Sequence, residues 1–224
     1  MLLSFTPTNT EALLSRASEF AGFTFHEVAE YLHISPPKYL KQDKGWCGQC
    51  VEQLLGASSG NKPRPDFVDL GIELKTIPIY PNAHPLESTY ICTAPIPFRE
   101  TVWEESHVYQ KIRYILWIPI IVDPNKTFLE RRIGQACLWS PDPQEMCILQ
   151  QDWEELTEYL ISGQFDQLSA RLGTFLHIRP KAASSRHPIP TANHEGDLIY
   201  TVPKGFYLRT SLTKTLFTRY YAIF

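Results

Sequence analysis

Hydrophobic and polar positions follow two different periods along this chain of 224 residues. Near the N-terminus the apolar residues recur every three or four positions, which is typical of helices that pack one face on a core. Between residues 72 and 139 they form short runs or alternate with polar residues, which indicates strands. A helical period then returns before a final mixture of both. Helices, a mixed sheet and helices again predict an α/β (mixed α+β) fold.

Capping signals and Gly or Pro breaks give these predicted elements approximate bounds. Two capping boxes, Thr8 with Glu11 and Thr24 with Glu27, predict the starts of two N-terminal helices. Further helices are predicted over residues 46–55, 106–113, 143–162, 165–172 and 211–224. Strands are predicted over residues 72–79, 88–94, 114–122, 133–139 and 175–179. Residues 184–197 are expected to form a loop, and residues 200–208 an extended or hairpin-like segment.

The length suits a single domain, residues 1–224, with approximate subdomains over 1–110 and 111–224. The N-terminus has no basic stretch followed by a long apolar one, so it does not predict a secretion signal. The longest apolar run, residues 114–122, contains Pro119 and is too short to span a bilayer. We therefore expect a soluble, cytoplasmic protein without a membrane partner.

Positive charge is concentrated near the C-terminus, although the net charge of the chain is −3. Residues 1–170 contain 13 Lys and Arg against 22 Asp and Glu, whereas residues 171–224 contain 8 against 2. This segment is also rich in Phe, Tyr and Leu, so it is expected to fold and to offer a surface for a polyanion. A solvated tail is the alternative. The modest overall charge fits weak intrinsic affinity for DNA, with help from a partner.

One short pattern of charged residues predicts chemistry. Asp66 precedes a predicted strand in which Glu73 and Lys75 share a face, because strand side chains alternate. Two carboxylates beside an ammonium suit a hard divalent ion that brings water to a phosphate. The pattern therefore predicts metal-dependent phosphodiester hydrolysis. It is short, however, and the alternative is an exposed strand with Glu and Lys on its wet face and Asp in a turn.

Two more charged residues are candidates for the same pocket. Glu52 lies on the predicted helix 46–55, away from its apolar residues, and adds a third carboxylate if that helix packs beside the strand. Lys111 lies on the predicted helix 106–113, from which it could reach a phosphate. For each residue the alternative is a solvated helix face.

The cysteines do not predict a disulfide framework, because there are five of them and they are scattered. Cys47 and Cys50 form a CxxC pair. A structural zinc site needs a second matching pair, which the sequence lacks, and a redox motif needs a βαβ context. The pair is interpreted as small packing residues, with a zinc protein as the alternative.

Several sequence blocks carry a more specific signal than this triad. They include LGIELKTIP at 70–78, IRPKAA at 178–183 and PKGFYL at 203–208, and the others lie at 41–46, 52–60, 65–67, 85–87, 103–108, 116–119 and 151–156. In this order the blocks resemble the MutH family of mismatch-repair endonucleases over nearly the whole chain. The resemblance implies a restriction-endonuclease-like, PD-(D/E)xK fold, with a central mixed sheet flanked by helices and two arms around a DNA cleft.

The resemblance also implies roles for the charged residues. Asp66 and Glu73 match the metal ligands, assisted by the Leu74 backbone carbonyl, for Mg²⁺ with Mn²⁺ as a candidate substitute. Glu52 matches an additional helix carboxylate and is a candidate further ligand. Lys75 matches the lysine that orients or activates the attacking water. The implied catalytic residues are Glu52, Asp66, Glu73, Lys75 and Lys111. Whether one or two metal ions act stays open.

Members of this family nick the unmethylated strand of hemimethylated GATC sites, 5′ of the G. Tyr207 matches the residue that senses the adenine methyl group; its alternative is a core aromatic. The implied DNA-binding residues are Lys44, Arg179, Lys181, Lys204 and Tyr207. Gln42 and the 184–197 loop depart from the family pattern.

The implied partners are double-stranded DNA and a MutL-type ATPase activator, with MutS upstream. One site in a chain without an internal repeat favours nicking by a monomer, since enzymes that cut palindromes usually present two sites. The nearest alternative is a GATC-type restriction endonuclease that cuts both strands. A non-catalytic DNA-binding module is the alternative from another class.

Overall fold

The computed structural model describes residues 6–39, 45–57, 64–99, 102–181 and 188–221. The chain forms two compact units, and each is assembled from separate stretches of sequence. The first unit contains Met1–Glu87, Tyr114–Ser140 and Lys214–Phe224; the second contains Ser88–Arg113 and Pro141–Thr213. This division differs from the approximate subdomains 1–110 and 111–224, because the chain passes between the units more than once.

The helices of the described residues are α1 (Thr10–Glu19), α2 (Phe25–Leu32), α3 (Trp46–Leu55), α4 (His107–Ile112), α5 (Pro143–Ile161) and α6 (Thr210–Tyr221). The strands are β1 (Glu73–Ile79), β2 (Thr89–Ala94), β3 (Ile115–Ile121), β4 (Arg132–Ile133), β5 (Cys137–Trp139), β6 (Leu176–Pro180), β7 (Ile189–Ala192), β8 (Leu198–Thr201) and β9 (Lys204–Leu208).

Side-chain caps set the starts of α1 and α2. Thr24 and Glu27 form the predicted capping box of α2, in which each side chain bonds the other residue's backbone N–H. The box predicted from Thr8 at the start of α1 is wrong. Asn9 is the N-cap instead, and its side chain accepts a hydrogen bond from the Ala12 N–H at 2.8 Å. Asn is among the strongest N-cap residues, so it takes the position next to Thr8.

The sheet of the first unit is mixed. β1 and β3 are parallel and in register from Glu73 opposite Ile115 to Ile79 opposite Ile121. β4 and β5 pair antiparallel with β3 in place of the single predicted strand 133–139. The chain from Ile133 to Cys137 has one residue more than the stretch of β3 that it faces, so the pairing is interrupted as at a bulge.

The core of the first unit lies on both faces of this sheet. On one face Leu74, Leu116 and Ile118 belong to a cluster with the buried residues of α1, α2 and α3. This cluster includes Cys50, with Cys47 packed against it, as expected for packing residues. On the other face the ring of Trp117 meets that of Phe217 from α6, with centroids 5.9 Å apart. β1 is therefore held in the interior.

The second unit contains an antiparallel sheet in the order β2-β9-β6 and a separate hairpin of β7 with β8. α4 contacts β2, and α5 contacts β6. Two predictions are wrong here. Residues 165–172 form turns instead of a helix, and β7 lies in the expected loop 184–197. The 200–208 segment is extended as predicted, but it contains β8 and β9, which pair in different sheets.

None of the helices in the described part of the chain is both long and apolar enough to cross a membrane.

Candidate active site and candidate DNA interface

A tight turn brings Asp66 to the start of β1. Phe67 and Ile72 bond each other's backbone at 2.9 and 3.2 Å, and Gly71 closes the turn in the left-handed region with φ 65°. A side chain is strained at that φ, whereas glycine adopts it readily. The turn returns the chain so that Asp66 Oδ2 accepts a hydrogen bond from the Leu74 N–H at 2.9 Å. Asp66, only 6% exposed, is thereby fixed at the backbone N–H of the residue that follows Glu73.

Glu73 and Lys75 contact each other at the start of the same strand. Lys75 Nζ lies 2.6 Å from Glu73 Oε1, and the two side chains are 17% and 1% exposed. A wet strand face would leave both side chains in solvent, so the burial of Glu73 contradicts that alternative. Removing a carboxylate from water is unfavourable unless charges and hydrogen bonds compensate it. Here Lys75 supplies part of that compensation.

The donor set at this point fits a hard divalent ion. Asp66, bonded to the Leu74 N–H, and Glu73, the first residue of β1, are both buried oxygen donors, and such ions complete their shell with carbonyls, waters or phosphate oxygens. Within the described ranges, no three side chains among His, Cys, Asp and Glu form a group that could hold a metal ion. A site here therefore depends on two carboxylates, and the Leu74 carbonyl as a ligand stays a prediction.

The structure places Glu52 on α3, where it is partly exposed. One turn earlier on this helix, Gly48 approaches Thr76, and a Cβ at Gly48 would lie 3.4 Å from Thr76 Oγ1. Thr76 shares its strand face with Leu74, whereas Glu73 and Lys75 lie on the opposite face. A metal-binding role for Glu52 stays a prediction.

Lys111 lies on α4 in the second unit and is 7% exposed. Its predicted catalytic role stays a prediction. Lys44 and Gln42 lie outside the described residues.

Aromatic and cationic side chains cover one face of the β2-β9-β6 sheet. Tyr90 and Tyr207 are cross-strand partners with ring centroids 5.3 Å apart. Arg179 lies over the Tyr207 ring at 5.8 Å, and Lys181 lies over the Tyr90 ring at 5.1 Å. We call Tyr90, Thr93, Arg179, Lys181 and Tyr207 the tyrosine face. Rings and cations of this kind suit contact with DNA bases and phosphates.

Lys204 is not on the tyrosine face. It alternates with Gly205 and lies on the side of Phe206 and Leu208, where it is 8% exposed. Burial lowers the pKa of its ammonium, against the charge of Asp166, which raises it. This position does not favour the predicted DNA contact.

His177 lies beside Tyr207 in register, with ring centroids 6.2 Å apart. It is 5% exposed, and its Nε2 has no hydrogen-bond partner within the described part of the chain. Burial, followed by the positive charges of Arg209 and Arg179, lowers the pKa of His177 from 6.5 to about 4. The imidazole is therefore neutral at neutral pH.

Two charged residues that sequence reasoning missed hold the start of β6. The buried carboxylate of Asp152 on α5 accepts hydrogen bonds from the backbone N–H groups of residues 174, 175 and 176 at 2.6–2.8 Å. The guanidinium of Arg209 donates to the carbonyls of residues 170, 172 and 173. In sequence, Asp152 resembles the charged residues of a solvated helix face, so no local pattern separates it from them.

An α/β unit with a buried carboxylate pair and a lysine on a parallel strand defines a candidate nuclease of the restriction-endonuclease-like class. The family model of the DNA mismatch repair enzyme MutH matches residues 55–152, a stretch that contains Asp66, Glu73 and Lys75.

Curated relatives match over almost their full length. The DNA mismatch repair protein MutH of Vibrio parahaemolyticus serotype O3:K6 is 44% identical over 216 residues, 96% of each chain. That of Vibrio vulnificus strain YJ016 is 47% identical over 208 residues, 92% of each chain. That of Shewanella baltica strain OS185 is 45% identical over 214 residues, 95% of this chain and 96% of the relative. The chain belongs to the MutH family of DNA mismatch repair endonucleases, and its fold is restriction-endonuclease-like.

Proposed function

We propose that this enzyme uses Mg²⁺ to nick the unmethylated strand 5′ of GATC in hemimethylated DNA, during methyl-directed mismatch repair. The observation that carries the proposal is the arrangement of Asp66, Glu73 and Lys75 around the start of β1. Family membership supports DNA as the substrate. Mn²⁺ is the candidate substitute for Mg²⁺, because the same oxygen donors accept it.

The positions of these residues support the following proposed roles. Asp66 and Glu73 would hold the ion, with the Leu74 carbonyl and Glu52 as further candidates. When bound, the ion supplies charge that neutralises the scissile phosphate and lowers the pKa of a coordinated water. The Leu74 N–H keeps the Asp66 carboxylate in one orientation. The Lys75 ammonium, held against Glu73, would place a positive charge beside the attacking water.

The tyrosine face would read the DNA. Arg179 and Lys181 are exposed or partly exposed cations on one sheet face, as contacts to phosphates and base edges require. Tyr207 would crowd an N6-methyl group of adenine, which projects into the major groove. Lys44 and Lys111 complete the proposed set of functional cations, whereas the buried position of Lys204 does not favour its predicted DNA contact.

A MutL-type ATPase, acting after MutS, would switch the enzyme on. The net charge of −3 supports this dependence, because a DNA enzyme with an acidic balance gains little from long-range attraction to phosphates. A monomer with one site would cut one strand at a time in the cytoplasm.

The test is a Mg²⁺-dependent cleavage assay on duplexes that carry one GATC site, unmethylated, hemimethylated or fully methylated, with each strand labelled separately. Nicking confined to unmethylated strands is the expected result, with MutL added if the enzyme alone is silent. Equal cutting of both strands in every duplex would instead identify a restriction endonuclease. No cutting even with MutL would leave a DNA-binding module.

A variant pair tests the proposed metal site. Asp66→Ala should abolish cleavage and leave DNA binding intact or stronger, because it removes an oxygen donor and a negative charge. Asp69→Ala is the matched control, since Asp69 is exposed in the same turn. If Asp66→Ala cleaves as well as Asp69→Ala does, Asp66 is not a metal ligand.

A second pair tests methyl sensing. Tyr207→Phe and Tyr207→Ala should raise cleavage of methylated strands relative to unmethylated ones. Tyr200→Ala is the control, because Tyr200 is 68% exposed on β8, in a different sheet. An unchanged preference in both Tyr207 variants would remove Tyr207 from this role.

A further inference from the structure

Two hydroxyl groups of β2 hold the ammonium of Lys181. Its Nζ lies 3.0 Å from Thr93 Oγ1 and 3.3 Å from Tyr90 Oη, and these two oxygens are 2.9 Å apart. The ammonium also lies 5.1 Å from the centroid of the Tyr90 ring. Hydrogen bonds and the ring therefore hold this cation in one place. We call Tyr90, Thr93 and Lys181 the hydroxyl clamp.

A strand irregularity makes the clamp possible. Side chains three positions apart on a regular strand point to opposite faces. The β2-β9 register shifts between Tyr90 and Cys92, so that Ile91 is one residue extra. The shift returns Thr93 to the face of Tyr90, as bulges re-aim side chains elsewhere. Neither the sequence spacing nor a regular ladder would bring these two hydroxyls together.

The backbone also fixes the third member of the clamp. Lys181 directly follows β6, and its N–H donates to the Pro203 carbonyl at 2.8 Å, which continues the pairing beyond the end of the strand. The position of Lys181 therefore follows from the β6-β9 register, and its side chain crosses β9 to reach β2.

The clamp limits what Lys181 can contact. An ammonium has three N–H donors, and two of them are directed at Tyr90 and Thr93. The third donor then has one direction, whereas a solvated lysine samples many rotamers and acts as a point charge. A phosphate tolerates a diffuse positive charge, but an acceptor on a base edge requires an aimed donor.

The clamp is also joined to Tyr207. The rings of Tyr90 and Tyr207 meet edge to face at 5.3 Å, and Gly205 lies beside both. A Cβ at Gly205 would come within 2.9 Å of Tyr90 Cε2 and 3.3 Å of Tyr207 Cε2. Because Gly205 has no side chain, both rings can occupy these positions.

We propose that Tyr90 and Thr93 are positioning residues that aim Lys181 at a hydrogen-bond acceptor on a DNA base, and that the clamp thereby contributes to sequence discrimination. This inference depends on the proposed function, because it uses cleavage at GATC. It gives the hydroxyls of Tyr90 and Thr93 an indirect role, which is to orient Lys181 without contacting DNA themselves.

The experiment measures kcat/KM for nicking at GATC and at sites with one base changed. Tyr90→Phe with Thr93→Val removes both hydroxyls and keeps the shapes of the side chains. Discrimination should fall about three- to tenfold, the effect of about one net hydrogen bond. Thr93→Ser, which keeps the hydroxyl, is the matched control and should retain discrimination. Since these side chains are exposed or partly exposed, the urea midpoint should not change.

The same two changes made in a Lys181→Ala protein separate an indirect role from a direct one. If the hydroxyls act through Lys181, their removal should cause no further loss of discrimination in the Lys181→Ala protein. An equal loss of discrimination with and without Lys181 would overturn the proposal. So would an equal decrease of kcat/KM at all sequences, or unchanged discrimination in the first experiment. If the unsubstituted protein does not nick GATC, the proposed function fails; if it nicks and the variants discriminate normally, the clamp alone fails.

Discussion

Acid should destabilise the second unit through His177, a buried residue beside Tyr207. Its folded-state pKa of about 4 lies below the value of 6.5 for an exposed histidine. Burial is the first cause, and Arg209 and Arg179 repel the proton further. The unfolded chain therefore binds a proton below pH 6.5, whereas the folded protein does so only near pH 4. Stability falls as the pH falls through this window, because protons bind preferentially to the unfolded state.

The size of the effect follows from these two pKa values. Between pH 8 and pH 5 the free energy of unfolding should decrease by about 2 kcal/mol through this one histidine. The decrease should level off below the folded pKa, at about 3 kcal/mol in total. Such a change is large against the net stability of a domain, which is about 5–15 kcal/mol.

Urea unfolding at pH 8 and at pH 5 measures this contribution, with His177→Gln as the variant. Gln cannot titrate, and its amide can reach the Ala170 carbonyl near which Nδ1 of His177 lies, at 3.5 Å. Between pH 8 and pH 5 the free energy of unfolding should fall by about 2 kcal/mol more in the unsubstituted protein than in the variant. The other titrating groups are present in both proteins, so the difference isolates His177. His26→Gln is the control, because the His26 side chain is exposed on α2, and this variant should keep the normal pH dependence. An identical pH dependence in His177→Gln and the unsubstituted protein would refute the reasoning.

Two more substitutions test how the second unit holds its sheet. Asp152→Asn should lower the free energy of unfolding by roughly 2–4 kcal/mol in urea titrations, because three backbone N–H groups lose a charged acceptor. Glu155→Gln, at an exposed residue of the same helix, should leave the free energy of unfolding within about 0.5 kcal/mol. Equal effects of the two substitutions would contradict the role of Asp152 in holding β6. Gly205→Ala should displace the rings of Tyr90 and Tyr207, since its Cβ would come within 2.9 and 3.3 Å of them. Strand-specific nicking should then discriminate methylation less well, and unchanged discrimination would show that ring placement does not matter.

The elements that the sequence predicted well are those with local causes. The Thr24–Glu27 box begins α2, and the apolar positions of residues 46–55 give α3 its buried side. The strand around Glu73 and Lys75 was found from its own alternation. In each case the deciding interactions lie within one turn or between neighbouring positions, so a short window of sequence contains them.

The misses have causes that lie far apart in the chain. Turns replace the predicted helix at 165–172, and carbonyls of that segment accept hydrogen bonds from Arg209, more than 35 residues away. The 200–208 segment has the right extended character, but its two strands pair with different partners. Lys204 is a lysine, a residue type that commonly contacts DNA, yet the alternation of side chains along β9 places it on the buried face. Composition cannot reveal which face of a strand is covered.

The candidate site also combines features with local causes and features that depend on distant parts of the chain. The pattern of Asp66, Glu73 and Lys75 could be found in sequence, because only six residues separate the first carboxylate from the second. The burial of Glu73 could not, since it depends on β3 and on packing from residues far along the chain. That burial is what separates Glu73 from a carboxylate on a solvated strand face.

The proposed catalytic site and the proposed recognition surface therefore depend on different physical properties of this chain. The carboxylate site of the first unit depends on buried charge, and loss of a proposed metal ligand there would weaken ion binding whatever the DNA sequence is. The tyrosine face of the second unit depends on exposed rings and cations whose directions are fixed by register, by a bulge and by one glycine. Substitutions at Asp66 should consequently change the rate at every site, whereas substitutions at Tyr90, Thr93 or Gly205 should change the choice between sites. A variant of the tyrosine face that lowered all rates equally would show that the two properties are not separable.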